Sequence, residues 1–302
     1  MKSFKKIALV LISILMVTTL TSCSSFEESG NEIVDAYEAL ELMKQDNVIL
    51  VDANTSEGYL SNHIDGAINM SRSELMISEP VANTVADKAT VEKVLSEKGI
   101  SNDSIVLVYD SNNNMDSSRI WWTLKLYGHE NVKVISGGKS ALVEAGAETS
   151  TTSLELEATT YVAKDMDTSM IATLEEVENQ VNDPDKNTTL VDVRSEEEFN
   201  SGTIPGSIWY EYLNNNNEDG TFKAVSETQT CYLDLGLIPD NPIILYCKSS
   251  VRAAETYVAM VNAGFKNVKI YDGAILEWTA DENRPLQIAE DVEVEVTQQD
   301  AS

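Results

Sequence analysis

The sequence has little cysteine, histidine or basic charge. It contains three cysteines and two histidines, and its 21 lysines and arginines stand against 50 aspartates and glutamates, which gives a formal net charge of −29. A chain of this charge repels a polyanion, so a nucleic-acid-binding surface is excluded. Three cysteines are too few for a disulfide framework, although a single bond between Cys231 and Cys247 stays open.

Long apolar runs are also scarce, apart from one near the N-terminus. Three lysines precede an apolar stretch at residues 7–17, which is too short for a stable membrane span and is typical of a secretory signal. The segment from Leu20 to Cys23 then resembles a bacterial lipobox, in which the cysteine is acylated and becomes the first mature residue. We therefore predict a lipoprotein signal peptide at residues 1–22 and a lipid on Cys23.

Removal of this peptide takes away three lysines and changes the net charge from −29 to −32. Such an acidic chain has no basic patch to hold it on anionic lipid. We expect an extracytoplasmic protein that is anchored to the bacterial cell membrane by its N-terminal lipid.

The remaining chain is long enough, with 42% hydrophobic residues overall, to bury two cores. One pattern occurs twice, about 140 residues apart, which indicates a domain duplication. Each copy has a short apolar strand with an acid near its end, a second buried strand, a helix that ends at a glycine and a third strand. The matching strands are Val48–Ala53 and Thr189–Arg194, Ile105–Asp110 and Ile243–Cys247, and Val132–Ile135 and Val268–Tyr271.

Continuous apolar strands that alternate with helices predict an α/β fold, with a mostly parallel sheet flanked by helices on both faces in each domain. We place the two domains at residues 31–150 and 168–287. Residues 151–167 are predicted to be a linker with one edge strand at 160–162, and residues 288–302 an acidic, flexible tail. The helices are predicted to span 119–127 in the first copy and 251–263 in the second.

Three segments of the second copy carry a resemblance to a known family. They are Val191-Asp192-Val193-Arg194 with Ile204-Pro205-Gly206-Ser207 downstream, Tyr246-Cys247-Lys248-Ser249-Ser250-Val251-Arg252, and Tyr271-Asp272-Gly273 with Glu277-Trp278. In order and spacing, the chain resembles tandem-domain rhodaneses, which are sulfurtransferases, across residues 35–287. The resemblance implies two rhodanese-like domains, of which only the second keeps a reactive cysteine.

The chemistry of Cys247 can also be read from its position. The residue stands where a buried strand ends and a helix begins, so backbone N–H groups and the helix dipole favour the thiolate there. Lys248 and Arg252 add positive charge. This is a nucleophile in an anion-holding loop, and we predict that the loop residues Ser249, Ser250 and Val251 bind substrate together with the two basic residues.

Such a loop suits attack on a sulfane sulfur or on a phosphoryl group. Cysteine phosphatases place five residues between Cys and Arg, whereas four stand between Cys247 and Arg252, which favours the smaller sulfur atom. The predicted function is transfer of sulfur from a small anionic donor, of thiosulfate or 3-mercaptopyruvate type, to a thiol or cyanide. A rhodanese-like module that binds or senses oxyanions or persulfides without turnover is the alternative.

The family resemblance implies one more ligand and leaves one question open. Arg194 is expected to reach the pocket and bind an anionic group of the donor, while Asp192 is expected to fix backbone near the loop. Many rhodaneses have glycine at the position of Ser250, and thiosulfate-preferring members have a basic residue at that of Ser249. The choice of donor therefore stays unresolved.

The first copy has Asp110 at the position of the nucleophile. Aspartate cannot form a persulfide, and the segment between Asp110 and Arg119 is four residues longer than that between Cys247 and Arg252. We therefore predict an inactive first domain. No metal site and no cofactor are expected, because Asp110 and Asp116 have no further acidic or histidine partner at a suitable spacing.

Overall fold

The computed structural model describes residues 30–288, which form two α/β domains of the same design. The predicted signal peptide at 1–22, Cys23 and all of the predicted tail except residue 288 lie outside the described residues. No helix within residues 30–288 is long and apolar enough to cross a membrane.

The first domain alternates short strands and helices. Its strands are β1 (Ile33–Val34), β2 (Val48–Asp52), β3 (His63–Ile64), β4 (Ile68–Asn69), β5 (Met76–Ile77), β6 (Thr84–Val85), β7 (Ile105–Tyr109), β8 (Val132–Ile135) and β9 (Thr149–Ser150). Its helices are α1 (Ala36–Leu42), α2 (Ser56–Ser61), α3 (Lys88–Glu97), α4 (Met115–Leu126) and α5 (Gly138–Glu144), with a 3₁₀ turn at Arg72–Leu75.

The second domain repeats this order with fewer small strands. Its strands are β10 (Ile171–Ala172), β11 (Thr189–Asp192), β12 (Ile208–Trp209), β13 (Ile243–Tyr246) and β14 (Val268–Tyr271). Its helices are α6 (Leu174–Asn182), α7 (Glu196–Ser201), α8 (Val225–Asp234), α9 (Val251–Asn262) and α10 (Ala274–Trp278), with 3₁₀ turns at Thr168–Met170 and Tyr212–Asn215.

Each domain is built on one five-stranded parallel sheet. The strand orders are β1-β8-β7-β2-β4 and β10-β14-β13-β11-β12, and every pair within them is parallel. The predicted α/β fold with two mostly parallel sheets is confirmed. The central strands β7 and β13 end at equivalent points, so Asp110 and Cys247 follow the same edge of their respective sheets.

Both faces of the sheets are buried, in an alternating pattern. In β7, Val106 and Val108 belong to a large cluster that both domains share, whereas Leu107 and Tyr109 belong to an outer cluster of the first domain alone. The second domain has an outer cluster of its own. Cys247 belongs to the shared cluster, which places it on the sheet face that looks toward the other domain.

Helices α4 and α9 pack against each other across the domain boundary. Trp121 and Trp122 in α4 are buried, and the ring of Trp121 lies 6.2 Å from that of Tyr257 in α9. Both tryptophans belong to the apolar cluster that the two domains share. The interface is therefore hydrophobic core, shared by the two halves.

Helix α4 begins at Met115, four residues before the predicted start at Arg119. The prediction was wrong because the run Asn112-Asn113-Asn114 looks like loop and the first helical turn, Met115-Asp116-Ser117-Ser118, lacks an apolar period. Asn114 and Ser250, both with φ 62°, precede the two helices at equivalent positions. The first loop is thus one residue longer than the second, and Asp116 is the counterpart of Arg252.

The predicted edge strand at residues 160–162 is absent from the described structure, which has no regular element between 151 and 167. Side chains supply the hydrogen bonds that a strand would have made. The N–H of Tyr161 donates to Ser96 Oγ at 2.9 Å, and the N–H of Val162 donates to Asn102 Oδ1 at 3.0 Å. Tyr161 is buried in the shared core, so the segment packs on the first domain in an extended form.

Candidate active site

Cys247 lies directly after β13, at the start of the loop that leads into α9. Its carbonyl accepts the N–H of Ile275 at 3.1 Å, and the carbonyl of Lys248 accepts that of Leu276 at 3.3 Å. The loop therefore rests on the start of α10. Cys247 is 1% exposed, and both it and Cys231 are free thiols, so the disulfide that the sequence left open is not formed.

Ser250 sets the course of the loop. Its φ of 62° is in the left-handed region, which costs a residue with a side chain some strain. Its hydroxyl offsets this cost, because it lies within hydrogen-bonding distance of two carbonyl oxygens, that of Tyr271 at 2.9 Å and that of Asp272 at 2.7 Å. A serine at a helix start commonly caps the first amides, but the hydroxyl of Ser250 points away from them.

The consequence is a helix N-terminus without a protein cap. Within residues 30–288, no acceptor takes the N–H of Ser249, Ser250, Val251 or Arg252. The four groups follow Cys247 directly, and the dipole of the 12-residue helix α9 adds to their positive potential. They are suited to hold an anion beside the thiol.

Arg252 is held beside the thiol by an acid from a neighbouring helix. Its Nη1 and Nη2 donate to the carboxylate of Glu198 at 2.5 and 2.9 Å, and Cys247 is close enough to influence its pKa. Burial lowers the pKa of Arg252, but Glu198 and Cys247 raise it by more than burial lowers it. The guanidinium therefore stays positively charged. The two hydrogen bonds from Arg252 hold the pKa of Glu198 at about 2.

Glu198 was not among the site residues predicted from the sequence, where it is the last residue of the acidic run Glu196–Glu198. The sequence does carry a local signal for its side chain, though none for its partner Arg252. Ser195 and Glu198 form a capping box at the start of α7, in which each side chain binds the backbone of the other. That motif fixes the rotamer of Glu198 and turns its carboxylate toward Arg252.

The other predicted ligands are placed as follows. Lys248 is exposed and Ser249 is half-buried, so both are accessible at the mouth of the loop. Arg194 is 6% exposed, and its Nε and Nη2 donate to the carboxylate of Asp192 at 2.9 and 2.6 Å. Nη2 also donates to the carbonyl of Gly202 at 2.7 Å. The guanidinium of Arg194 is thus already engaged within its own domain.

The equivalent loop of the first domain contains an anion of its own. The Oδ1 of Asp110 accepts the N–H groups of Asn112 and Asn114 at 2.8 and 3.1 Å. Its Oδ2 accepts the N–H and the hydroxyl of Ser117 at 2.7 and 2.8 Å. Burial raises the pKa of Asp110, and the hydrogen bonds from Ser117 and Asn112 oppose that rise.

A second buried carboxyl stands one turn into α9. Glu255 is fully buried, and it accepts hydrogen bonds from Asn215 at 2.9 Å and from Asn216 at 3.2 Å. Burial nevertheless raises its pKa to about 8. The charge of Asp110, across the domain boundary, acts in the same direction.

Comparisons with known proteins agree with this architecture. The family model described as "Rhodanese-like domain" matches the chain twice, at residues 35–145 and 173–281. A protein of Mycolicibacterium smegmatis with the name "Putative thiosulfate sulfurtransferase" is 34% identical over 255 residues, which cover 79% of this chain and 90% of the relative. A protein of the same name from Saccharopolyspora erythraea is 35% identical over 246 residues, or 76% and 85% of the two chains.

Solved structures share the fold at lower identity. The anaerobic ergothioneine biosynthesis enzyme of Chlorobium limicola, in complex with trimethyl histidine, gives a TM-score of 0.75 at 23% identity, over 85% of this chain and 70% of that one. YnjE gives 0.77 at 20% identity, over 85% and 68%. These likenesses show the fold, while the closer relatives support a sulfurtransferase role.

Proposed function

The chain belongs to the family of rhodanese-like proteins, and from this premise we propose that it transfers sulfane sulfur through a persulfide on Cys247. The donor is a small anion of thiosulfate or 3-mercaptopyruvate type, and the acceptor is a thiol or cyanide. Substrate is held by the loop that follows the cysteine, and the first domain takes no part in the covalent chemistry because it has Asp110 at this position.

One observation carries the proposal. The two loops are equivalent, but the amides of the first are bound by the carboxylate of Asp110, whereas those of Ser249 to Arg252 have no acceptor within the described chain. An anionic sulfur species on Cys247 has the charge and the location to use them. The first loop supports this reading, since it shows that the same architecture binds an anionic group.

With thiosulfate as the donor, the proposed cycle consists of two displacement steps. The Cys247 thiolate attacks the sulfane sulfur, the S–S bond of thiosulfate breaks, and sulfite leaves with the bonding electron pair. The terminal sulfur of the persulfide then carries the negative charge. A cyanide or thiolate acceptor attacks that sulfur, the bond between the two sulfurs breaks, and the electron pair returns to Cys247. Thiocyanate or a new persulfide is released.

The neighbouring residues have distinct roles in this cycle. The amides of Ser249, Ser250 and Val251 stabilise the negative charge of the persulfide and of the departing group. Arg252 supplies a fixed positive charge that Glu198 orients. Lys248, which is exposed, attracts the anionic donor. Donor binding by Arg194 stays a prediction, since Asp192 and the carbonyl of Gly202 already bind its Nε and Nη2.

Mass spectrometry of the purified protein after incubation with thiosulfate tests the proposal. We expect a gain of one sulfur on Cys247 in the wild type and in Cys231→Ser, and none in Cys247→Ser. Cyanide should remove that sulfur and release thiocyanate. Failure of thiosulfate and of 3-mercaptopyruvate to load Cys247 in the folded wild type would overturn it.

The low exposure of Cys247, 1%, favours one alternative, a module that binds an oxyanion or persulfide without turnover. That function predicts anion binding that survives in Cys247→Ser, together with no thiocyanate production by the wild type. Isothermal titration with sulfite and the thiocyanate assay, run on the same two proteins, separate the two functions.

We also infer that Cys23 carries the lipid that holds the protein on the outer side of a bacterial membrane. The lipobox-like segment that ends at Cys23 supports this localisation. Cys23→Ala should move the protein from the membrane fraction to the soluble extracytoplasmic fraction. Release of the wild type from membranes by a high-salt wash would contradict a lipid anchor.

A further inference from the structure

Residue Asp272 connects the catalytic loop to the first domain. It follows β14, and its backbone carbonyl lies 2.7 Å from the hydroxyl of Ser250, the residue whose left-handed backbone directs the loop into α9. The carbonyl of Tyr271 lies 2.9 Å from the same hydroxyl. A displacement of Asp272 therefore removes what holds Ser250 in its strained conformation.

The side chain of Asp272 is held from the other domain. Its Oδ2 accepts the N–H of Val85 at 2.8 Å, and its Oδ1 lies 2.8 Å from Nη2 of Arg119 in α4. Within residues 30–288, these two groups of the first domain are the only polar contacts of the carboxylate: Val85 donates a hydrogen bond to it, and Arg119 forms an ion pair with Oδ1 that lacks hydrogen-bond geometry. The carboxylate beneath the catalytic loop is thus positioned by the first domain alone.

Arg119 is committed to this contact. Its side chain is 1% exposed, its Nη2 also donates to the carbonyl of Asn83 at 3.0 Å, and its guanidinium lies 4.6 Å from the ring centroid of Trp122. Its Nε and Nη1 find no partner in the described part of the chain. A buried guanidinium with so few acceptors depends on its one carboxylate, so Arg119 and Asp272 hold each other in place.

The opposite side of the pseudo-symmetric interface lacks this ion pair. Ser136 takes the position of Asp272 there, and its hydroxyl accepts the N–H of Phe222 at 2.8 Å, as the carboxylate of Asp272 accepts that of Val85. The position of Arg119 is taken by Glu255, which binds Asn215 and Asn216 instead. A side chain that accepts a backbone N–H of the other domain occurs on both sides, at Asp272 and at Ser136. The ion pair occurs only on the side that supports the cysteine.

We propose that Arg119 and Asp272 are positioning residues for the reaction at Cys247, and that the first domain is retained because it holds the catalytic loop through them. The inference rests on the proposed sulfur transfer. Arg119 fixes the carboxylate of Asp272, the carbonyls of Tyr271 and Asp272 hold the hydroxyl of Ser250, and the conformation of Ser250 directs the loop amides toward the substrate.

The test compares Arg119→Met, which removes the ion pair beneath the cysteine, with Ser136→Ala, which removes the acceptor of the Phe222 N–H on the side without the cysteine. Two readouts are taken well below the unfolding temperature: kcat and KM with thiosulfate and cyanide, and the rate at which iodoacetamide alkylates Cys247 in the absence of donor, located by peptide mass spectrometry. In Arg119→Met we expect kcat to fall roughly ten- to hundredfold, with KM changed far less. Alkylation should become about tenfold faster, because Cys247 is 1% exposed while the loop is held.

Ser136→Ala should leave both readouts within about twofold of wild type, and Arg119→Lys, which keeps the charge, should recover part of kcat. Where Arg119→Met does not fold, Ser250→Ala and Ser250→Gly test the same series of contacts at its other end, the hydroxyl of Ser250. Both lose the hydroxyl, but glycine tolerates the left-handed conformation, so alanine should impair kcat more.

The alkylation rate distinguishes this inference from the proposed function, because it needs no sulfur donor. Faster alkylation in Arg119→Met but not in Ser136→Ala supports the positioning role even where the wild type transfers no sulfur. Unchanged alkylation and kcat in folded Arg119→Met, or equal changes in Ser136→Ala, would overturn it.

Discussion

The two loops that follow the central strands β7 and β13 have almost the same course, but they surround different side chains. Each starts after a tyrosine, turns at a residue with φ 62° and opens into a 12-residue helix. The first loop surrounds the carboxylate of Asp110, which takes three backbone N–H groups and one hydroxyl. The second surrounds a thiol and leaves its amides without an acceptor in the described chain. The comparison indicates that a carboxylate is a structural component of the first loop, and we propose that an anionic substrate takes the equivalent place in the second.

Removal of the Asp110 carboxylate from the first loop should have the strongest consequence. Asp110→Ala leaves the three amides of Asn112, Asn114 and Ser117 without their acceptor, and a buried donor without a partner costs about 1–3 kcal/mol. We expect the free energy of unfolding to fall by at least about 3 kcal/mol in urea denaturation. The matched change Cys247→Ala should cost about 1 kcal/mol. Equal losses in the two variants would show that the carboxylate is not what organises the first loop.

The next largest effect concerns the cation of the second loop. Arg252→Gln removes a charge that faces the developing negative charge, and we expect kcat/KM with thiosulfate to fall about a hundredfold. Glu198→Gln keeps the cation but loosens its orientation, so a loss of about tenfold is expected. The exposed neighbour Glu197→Gln serves as the control and should behave as wild type. A Glu198→Gln variant as active as that control would exclude an orienting role.

Glu255, at the domain boundary, gives a pH-dependent effect that is smaller for each single pH unit. Its pKa is about 8 in the folded chain, against an ordinary value of 4.5, so between these pH values the folded state holds a proton that the unfolded state releases. The free energy of unfolding therefore falls as pH rises through this window, by up to about 1.4 kcal/mol per pH unit from this group.

Thermal unfolding between pH 5 and 9 measures this slope. Glu255→Gln cannot titrate and should lose that part of the slope, whereas Glu197→Gln should retain it. Parallel curves for wild type and Glu255→Gln would mean that the Glu255 carboxyl is already ionised at pH 5.

The smallest effect, on Tm, is expected from a substitution that gives the second loop the carboxylate of the first. Cys247→Asp places a carboxylate where Asp110 stands, so it should occupy the amides itself and abolish any rise in Tm on adding sulfate. Cys247→Ser leaves the amides available, and its Tm should rise by about 2–4 °C once bound sulfate contributes about 1 kcal/mol. Equal sulfate responses in the two variants would show that sulfate does not bind this loop.

The sequence predicts the sheets, the helices and the two domains well, because these depend on local patterns of residues. Apolar strands that end in Asp52 and Asp192, helices that end at glycine and the repetition of both were enough for two parallel sheets. They were also enough to place Cys247 at a strand-to-helix junction. Local signals failed where a polar group replaced an apolar one. The start of α4 was missed because the carboxylate of Asp110, and not an apolar stripe, organises that turn.

Pairs between distant segments could not be predicted. Nothing near Arg252 indicates that it binds Glu198, and nothing near Arg119 indicates Asp272, because each pair depends on how helices and sheets pack. Arg194 is a converse case, in which the sequence suggests a role but does not reveal the partners within the domain. Its motif implies a ligand for substrate, and only the structure reveals that Asp192 and Gly202 already share its guanidinium.

The core that α4 and α9 share has a consequence for how the molecule unfolds. Because the inner faces of both sheets contribute to one apolar cluster, neither half can open without exposing tryptophan and tyrosine side chains of the boundary to water. The duplicated halves should therefore melt as a single cooperative unit in calorimetry, with one van't Hoff transition. A chain cut within 151–167 should remain associated, and neither fragment should fold on its own.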